Sequence, residues 1–68
     1  MNPDAFNMSI RKFLKMVGVN SQREIEAAIE RAIAAGKLTG NETLPANVTL
    51  TLDGTDLDIA FDGKISLE

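Results

Sequence analysis

The residues best suited to chemistry in this chain are three cations grouped around a methionine. Arg11, Lys12 and Lys15 follow Met8 at spacings of three, four and seven residues, and these positions share one face of an α-helix. A cationic face with an apolar centre suits the binding of an acidic protein segment, a membrane surface or phosphate groups. We therefore predict that Met8, Arg11, Lys12 and Lys15 form a candidate interaction face. The alternative is that this face is only solvated.

Residue types that catalyse reactions or bind metals are scarce in the rest of the sequence. The chain contains no His, Cys, Trp or Tyr, so it has no imidazole base, no thiolate nucleophile and no imidazole or thiolate ligand for a metal. The aspartates from Asp53 to Asp58 lack the alternating oxygen spacing of a calcium loop, and Asp-Gly is a turn sequence. We expect no enzymatic activity, no catalytic or metal-binding residues and no cofactor.

Size and composition predict one small domain over residues 1–68. Hydrophobic residues make up 44% of the chain and charged residues 25%, which is typical of a folded protein rather than a disordered tail. A core of this size rarely supplies more than about 3–5 kcal/mol of stability. Self-association is the remaining source of stability, because the sequence provides neither disulfides nor thiolate metal sites.

Charge and hydropathy limit the partners. The formal net charge is −3 and the pI is about 4.7, which argues against nucleic acid because phosphate binding favours a basic surface. No apolar run approaches the roughly 18 residues of a membrane span, and the start of the chain does not resemble a secretory signal. We expect a cytoplasmic protein that binds another protein or a second copy of itself.

The first predicted helix covers residues 3–17. Asn2 is a suitable N-cap, and Pro3 can occupy the first helical position because its missing N–H is not needed there. Gly18 is expected to end this helix. The apolar residues that recur at helical spacing, and that we expect to face the core, are Phe6, Ile10, Phe13, Leu14 and Val17.

The second predicted helix covers residues 21–35. Ser21-Gln22-Arg23-Glu24 has the pattern of a capping box at its start, and Gly36 is placed to form a left-handed C-cap at its end. Residues 18–20 would then be the turn of an αα-hairpin. The apolar stripe of this helix is Ile25, Ala28, Ile29, Ala32 and Ile33.

Alternation of apolar and polar residues predicts an antiparallel β-hairpin or meander over residues 47–67. A four-residue loop at 53–56 or a two-residue Asp53-Gly54 turn would keep the apolar residues on one face, so the register stays open. With the longer loop, the facing pairs are Leu52 with Leu57, Leu50 with Ile59 and Val48 with Phe61. The opposite face, which we expect to be wet, carries Thr49, Thr51, Asp58 and Ala60.

A second turn at Asp62-Gly63 would bring Ile65 and Leu67 back as a third strand. A strict two-residue turn there places Ile65 on the wrong face, so this strand needs a longer turn or a bulge. The strands are rich in aspartate. These carboxylates either discourage pairing between sheet edges or meet the cationic helix of another copy.

Two helices followed by a hairpin also suggest a helix-turn-helix with a wing. Leu14, Gly18 and Ile25 match packing positions of that motif. The second helix would be the recognition helix, but it carries Glu24, Glu26 and Glu30 as well as two arginines. Its mixed charge is unlike the basic stripe that DNA binding favours.

Several runs of residues resemble a family of short bacterial proteins of unknown function. They are Asp4–Lys15, Val17-Gly18-Val19, Ser21–Glu26, Ala34–Leu38, Gly40–Pro45 and Phe61-Asp62-Gly63. The resemblance implies a free-standing bacterial protein and brings no functional site with it.

We predict an α+β domain of order ααββ(β), with the αα-hairpin packed on one face of the small antiparallel sheet. The predicted function is a cytosolic, non-catalytic protein-interaction or accessory module that uses the candidate interaction face, an open sheet edge, or both. The alternatives are a nucleic-acid-binding helix-turn-helix-like module and a self-associating structural protein.

Overall fold

The computed structural model describes residues 1–68. The elements are a helix, α1 (Pro3–Ala34), and two strands, β1 (Thr43–Thr51) and β2 (Asp58–Ser66). The chain divides into two compact units, Met1–Lys37 and Leu38–Glu68; the first contains α1 and the second contains the strands. The α+β class predicted from the sequence is confirmed, whereas a single domain over residues 1–68 stays a prediction.

The predicted αα-hairpin is wrong, because α1 continues without interruption for 32 residues. Gly18 and Ser21, expected at a helix end and a helix start, both lie in its interior. A glycine inside a helix costs only about 1 kcal/mol relative to alanine. Ending one helix and starting another leaves up to four N–H groups and four carbonyls without helical partners, whereas extending an existing helix adds one hydrogen bond per residue. Continuation therefore prevails over the local stop signals.

The predicted start of α1 is confirmed. Asn2 adopts an extended backbone conformation, and its side-chain oxygen accepts hydrogen bonds from the amides of Asp4 at 3.0 Å and Ala5 at 3.1 Å. Pro3 is the first helical residue. The asparagine cap and the proline together fix where the helix begins.

The predicted role of Gly36 at the end of the helix is also confirmed. Gly36 has φ of +77°, a conformation that glycine adopts without strain. The Gly36 amide donates a hydrogen bond to the carbonyl of Ile33 at 3.0 Å, and the Lys37 amide donates one to the carbonyl of Ala32 at 2.9 Å. These two bonds make a Schellman motif, which satisfies carbonyls that the helix leaves free.

β1 and β2 form a two-stranded antiparallel hairpin. Two of the predicted facing pairs are confirmed, Val48 with Phe61 and Leu50 with Ile59. The strand pairing ends at Thr51 and Asp58, so the predicted pair of Leu52 with Leu57 lies in the connecting loop. The hydroxyl of Thr55 closes this loop by donating to the carbonyl of Leu52 at 2.7 Å.

The predicted third strand is absent, because β2 continues through Asp62 and Gly63 to Ser66. β1 begins at Thr43, earlier than predicted, and its first residues pair with the second half of β2. Continuation keeps Ile65 on the apolar face opposite Leu44, whereas a tight turn would have moved it to the other face. The apolar face of the hairpin carries Leu44, Ala46, Val48, Leu50, Ile59, Phe61 and Ile65.

Candidate functional site

A single apolar face runs along α1. Because the helix is continuous, the steps of four residues from Val17 to Ser21 and from Ser21 to Ile25 join the two predicted stripes into one. Ser21 is the only polar member. We use the term apolar face for Phe6, Ile10, Phe13, Leu14, Val17, Ser21, Ile25, Ala28, Ile29, Ala32 and Ile33.

The side chains of the apolar face are widely accessible. Phe6 is 52% exposed, Phe13 49% and Leu14 50%, and no residue of α1 is buried. Large apolar patches of this kind on a protein surface mark interaction sites far more often than scattered single residues do. A contact that covered this face would remove the apolar area of several large side chains from water.

The candidate interaction face lies on the other side of the same helix. α1 holds Met8, Arg11, Lys12 and Lys15 at the spacing of one helical face, and Met8 is 70% exposed. We call these four residues the cationic face. The structure places them together as the sequence indicates, and whether they bind a partner stays a prediction.

The second half of α1 carries the opposite charge. Its carboxylates are Glu24, Glu26 and Glu30, against Arg23 and Arg31. The first half has three cations and one carboxylate, Asp4. The helix is therefore cationic in its amino-terminal half and mildly acidic in its carboxyl-terminal half, which matters for any partner that lies along its whole length.

The most concentrated polar cluster of the chain surrounds Glu42, just before β1. The Glu42 carboxylate accepts hydrogen bonds from the amides of Thr39 at 2.9 and 3.1 Å, Gly40 at 2.9 Å and Asn41 at 3.1 Å. These bonds, first that of Thr39 and then that of Gly40, lower the pKa of Glu42 below its usual 4.5. Because the chain's own carboxylate satisfies these amides, we assign the cluster a structural role.

The hairpin offers two open edges, since each strand of a two-stranded sheet has one unpaired side. Pro45 removes one backbone donor from β1, and the strands and their loop carry aspartates that disfavour pairing with another sheet. No group of three or more Asp, Glu, His or Cys residues is arranged to hold a metal ion. α1, although 32 residues long, contains no stretch apolar enough to cross a membrane.

The apolar face is the surface that sequence reasoning missed. The sequence pattern predicts that its residues face the core of an αα-hairpin, so the pattern indicates no binding surface there. The spacing of four residues through Val17, Ser21 and Ile25 was the available signal. The helix-turn-helix interpretation loses its geometric basis for the same reason, because residues 18–20 are helical.

Comparison with known families gives one result. A family model matches residues 1–68, which is the whole length of the chain. The chain belongs to DUF6494, a family of unknown function. No curated protein and no solved structure matches it. Membership in DUF6494 confirms the resemblance seen in the sequence and assigns no activity, so a function has to be argued from the faces of α1 and the hairpin.

Proposed function

We propose that this protein is a non-catalytic protein-interaction module whose main binding surface is the apolar face of α1. The observation that carries the proposal is the length and continuity of that face, which extends from Phe6 to Ile33. An amphipathic helix with apolar residues at spacings of three and four is a common binding element, either in a groove or against another helix. Action in the cytoplasm stays part of the proposal.

The accessibility of the face supports this function. Phe6, Phe13 and Leu14 remain about half exposed. Burying a large apolar side chain stabilises a complex by about 1.5–3 kcal/mol relative to leaving it in water. Two phenylalanines within eight residues give the face the large, rigid side chains that dominate interface energetics.

The cationic face is the second proposed surface of the same module. Met8, Arg11, Lys12 and Lys15 would contact an acidic segment of a partner, which suits electrostatic steering more than tight binding. A nucleic-acid partner is less well supported, because the helix-turn-helix geometry is absent and the net charge is −3.

A capture experiment with matched variants tests the proposal. The full chain would be immobilised as wild type, Phe13→Gln and Met8→Gln, exposed to a bacterial lysate, and the captured proteins identified by mass spectrometry. Glutamine is a good helix former at either position, so the two variants differ mainly in the face that they alter. We expect Phe13→Gln to lose a captured protein that Met8→Gln retains.

The other outcomes are equally informative. Loss with Met8→Gln and with a variant carrying Arg11→Gln, Lys12→Gln and Lys15→Gln, but not with Phe13→Gln, would assign binding to the cationic face. Equal capture by all variants, or no specific capture by any of them, would contradict the use of α1 as a binding element. Circular dichroism of each variant controls for loss of the helix.

A further inference from the structure

We propose that the outer edge of β2 pairs with the same edge of a second copy of this chain, antiparallel and centred on Gly63, to make a four-stranded sheet. The inference goes beyond the proposed function, because it uses the hairpin and not the apolar face of α1. Three observations support it: the hydrogen-bonding phase of the hairpin, the position of Pro45, and the order of charged and apolar residues along β2.

The hydrogen-bonding phase of the hairpin shows which backbone groups of β2 are used by β1. The amide of Leu67 donates to the carbonyl of Glu42 at 2.9 Å, and this bond continues the register that pairs Thr43 with Ser66. Hydrogen-bonded pairs alternate with non-hydrogen-bonded pairs along an antiparallel ladder, so every second residue of β2 bonds to β1. The residues of β2 whose amides and carbonyls point away from β1 are Asp58, Ala60, Asp62, Lys64 and Ser66.

The same phase shows that the outer edge of β1 is interrupted. Pro45 faces Lys64 in a non-hydrogen-bonded pair, so the missing proline N–H belongs to the outward side of β1. Proline on an edge strand hinders the addition of another strand at that point. β2 contains no proline, and every residue of β2 except Ile65 is exposed. Its outer edge therefore offers an unbroken row of donors and acceptors along nine residues.

The charges along β2 permit only some registers of a two-fold pair. A pair centred on Asp62 would place two carboxylates opposite each other, and one centred on Lys64 would place two ammonium groups opposite each other. A pair centred on Gly63 places Asp62 of each copy opposite Lys64 of the other. Opposite charges in facing positions stabilise a strand pair, whereas like charges destabilise it. The aspartates therefore disfavour other registers and support this one. A pair centred on Phe61 would also satisfy charge, through Asp58 and Lys64.

The apolar residues decide between the two registers that satisfy charge. In the pair centred on Gly63, Phe61 of each copy lies opposite Ile65 of the other. Within each hairpin, Phe61 already faces Val48 and Ile65 already faces Leu44. Two complete rows of apolar side chains then cross all four strands, one on each side of the facing glycines. A pair centred on Phe61 would leave only one complete row, because each glycine would then face an isoleucine.

This pairing would supply strands that the hairpin lacks. The sheet of one chain has two strands, and a two-stranded hairpin alone is only marginally stable in water, whereas three or more strands with an apolar face can be stable. Because both copies use the same edge, the contact is self-complementary and closes at two copies. The outer edges of the four-stranded sheet would be the two β1 strands, each interrupted by Pro45.

Cysteine cross-linking tests the contact at the two-fold axis. The chain contains no cysteine, so Gly63→Cys introduces a single thiol, and a Cβ atom built there meets no atom within 4 Å. Facing residues of a non-hydrogen-bonded pair have Cα atoms about 4.5 Å apart, which is within the range of a disulfide. We expect Gly63→Cys to form a covalent dimer under mild oxidation. Ala60→Cys is the matched control, because its two thiols would lie roughly 20 Å apart along the strands.

Light scattering coupled to size exclusion tests the contact without a cysteine. The wild-type chain should give a dimer whose fraction rises with protein concentration. Lys64→Glu places a carboxylate opposite Asp62 twice in each dimer and should raise the dimer dissociation constant about tenfold. Adding Asp62→Lys to that variant should restore most of the affinity. Lys37→Glu makes the same charge change outside the hairpin and should leave the dissociation constant nearly unchanged.

Each other result overturns the inference. A monomer at all concentrations means that no second copy binds. A dimer that dissociates with Phe13→Gln but not with Lys64→Glu is held by α1. Faster cross-linking of Ala60→Cys than of Gly63→Cys indicates another register, and cross-linking of Thr49→Cys alone indicates that the β1 edges pair. The lysate capture depends on Phe13 and not on β2, so this inference and the proposed function can fail separately.

Discussion

Replacing Gly18 with alanine tests the continuity of α1 on which the apolar face depends. Gly18 lies in the middle of the helix, and a Cβ atom built there meets no atom within 4 Å. Alanine is favoured over glycine in a helix interior by about 1 kcal/mol, since glycine loses more backbone entropy on folding. We therefore expect Gly18→Ala to stabilise the protein by about 1 kcal/mol.

Thermal unfolding followed by circular dichroism at the helix band measures this change. For a chain of this size, a change of about 1 kcal/mol shifts Tm by roughly 4–8 °C, so Gly18→Ala should raise Tm by that amount. Gly36→Ala is the matched control, because Gly36 has φ of +77°. Alanine in that conformation costs about 1–2 kcal/mol, and Tm should fall.

The sign of the Gly18 effect separates the two architectures. If residues 18–20 formed a turn with glycine in a left-handed conformation, Gly18→Ala would destabilise the protein as Gly36→Ala does. A lowered Tm for both variants would therefore refute the continuous helix. It would also remove the single apolar face on which the proposed function rests.

Two further predictions concern the caps of α1 and the cluster at Glu42. Asn2→Ala should destabilise the helix by about 1 kcal/mol, because it removes the N-cap. Ser21→Ala lies inside the helix and should be neutral or slightly stabilising in the same thermal assay. A similar loss of stability for both variants would place a helix start at Ser21. Amide hydrogen bonds favour the charged form of Glu42, so the pKa of Glu42 is lower in the folded protein than in the unfolded chain. The stability that the charged carboxylate contributes is therefore present above pH 4.5, and it is lost as the pH falls through the lowered pKa. An NMR titration of the Gly40 amide should report that lowered pKa, and Glu42→Gln should abolish the transition; a midpoint at or above the usual glutamate value would contradict the hydrogen-bonded geometry.

Features that depend on short-range chemistry were predictable from the sequence. The asparagine cap with Pro3 fixed one end of α1, and Gly36 marked the other. The period-2 pattern predicted the pairing of Val48 with Phe61. Each of these features is set within a few residues by hydrogen-bonding capacity, allowed backbone angles or the alternation of side chains across a strand.

The sequence did not predict where α1 and β2 continue through a local stop signal, because there two structures compete for the same residues. Gly18 and the Ser21 capping pattern are local stop and start signals, but their outcome depends on the cost of breaking a helix that is already formed. Asp62-Gly63 is likewise a turn sequence that lies within a strand, because early pairing by β1 gives β2 a partner beyond it. A residue pattern shows which local structures a segment can adopt. Which of them forms depends on the longer helix or strand that contains the segment.

The same competition explains why the candidate surface was missed. An apolar stripe at helical spacing looks identical in sequence whether it faces a core or a partner, since both remove it from water. Two stripes of five residues on short helices fit against each other in one chain. One stripe that extends from Phe6 to Ile33 on a continuous helix has no second helix in its own chain to pair with. The continuity of α1 at Gly18 therefore turns two predicted core stripes into one exposed apolar surface.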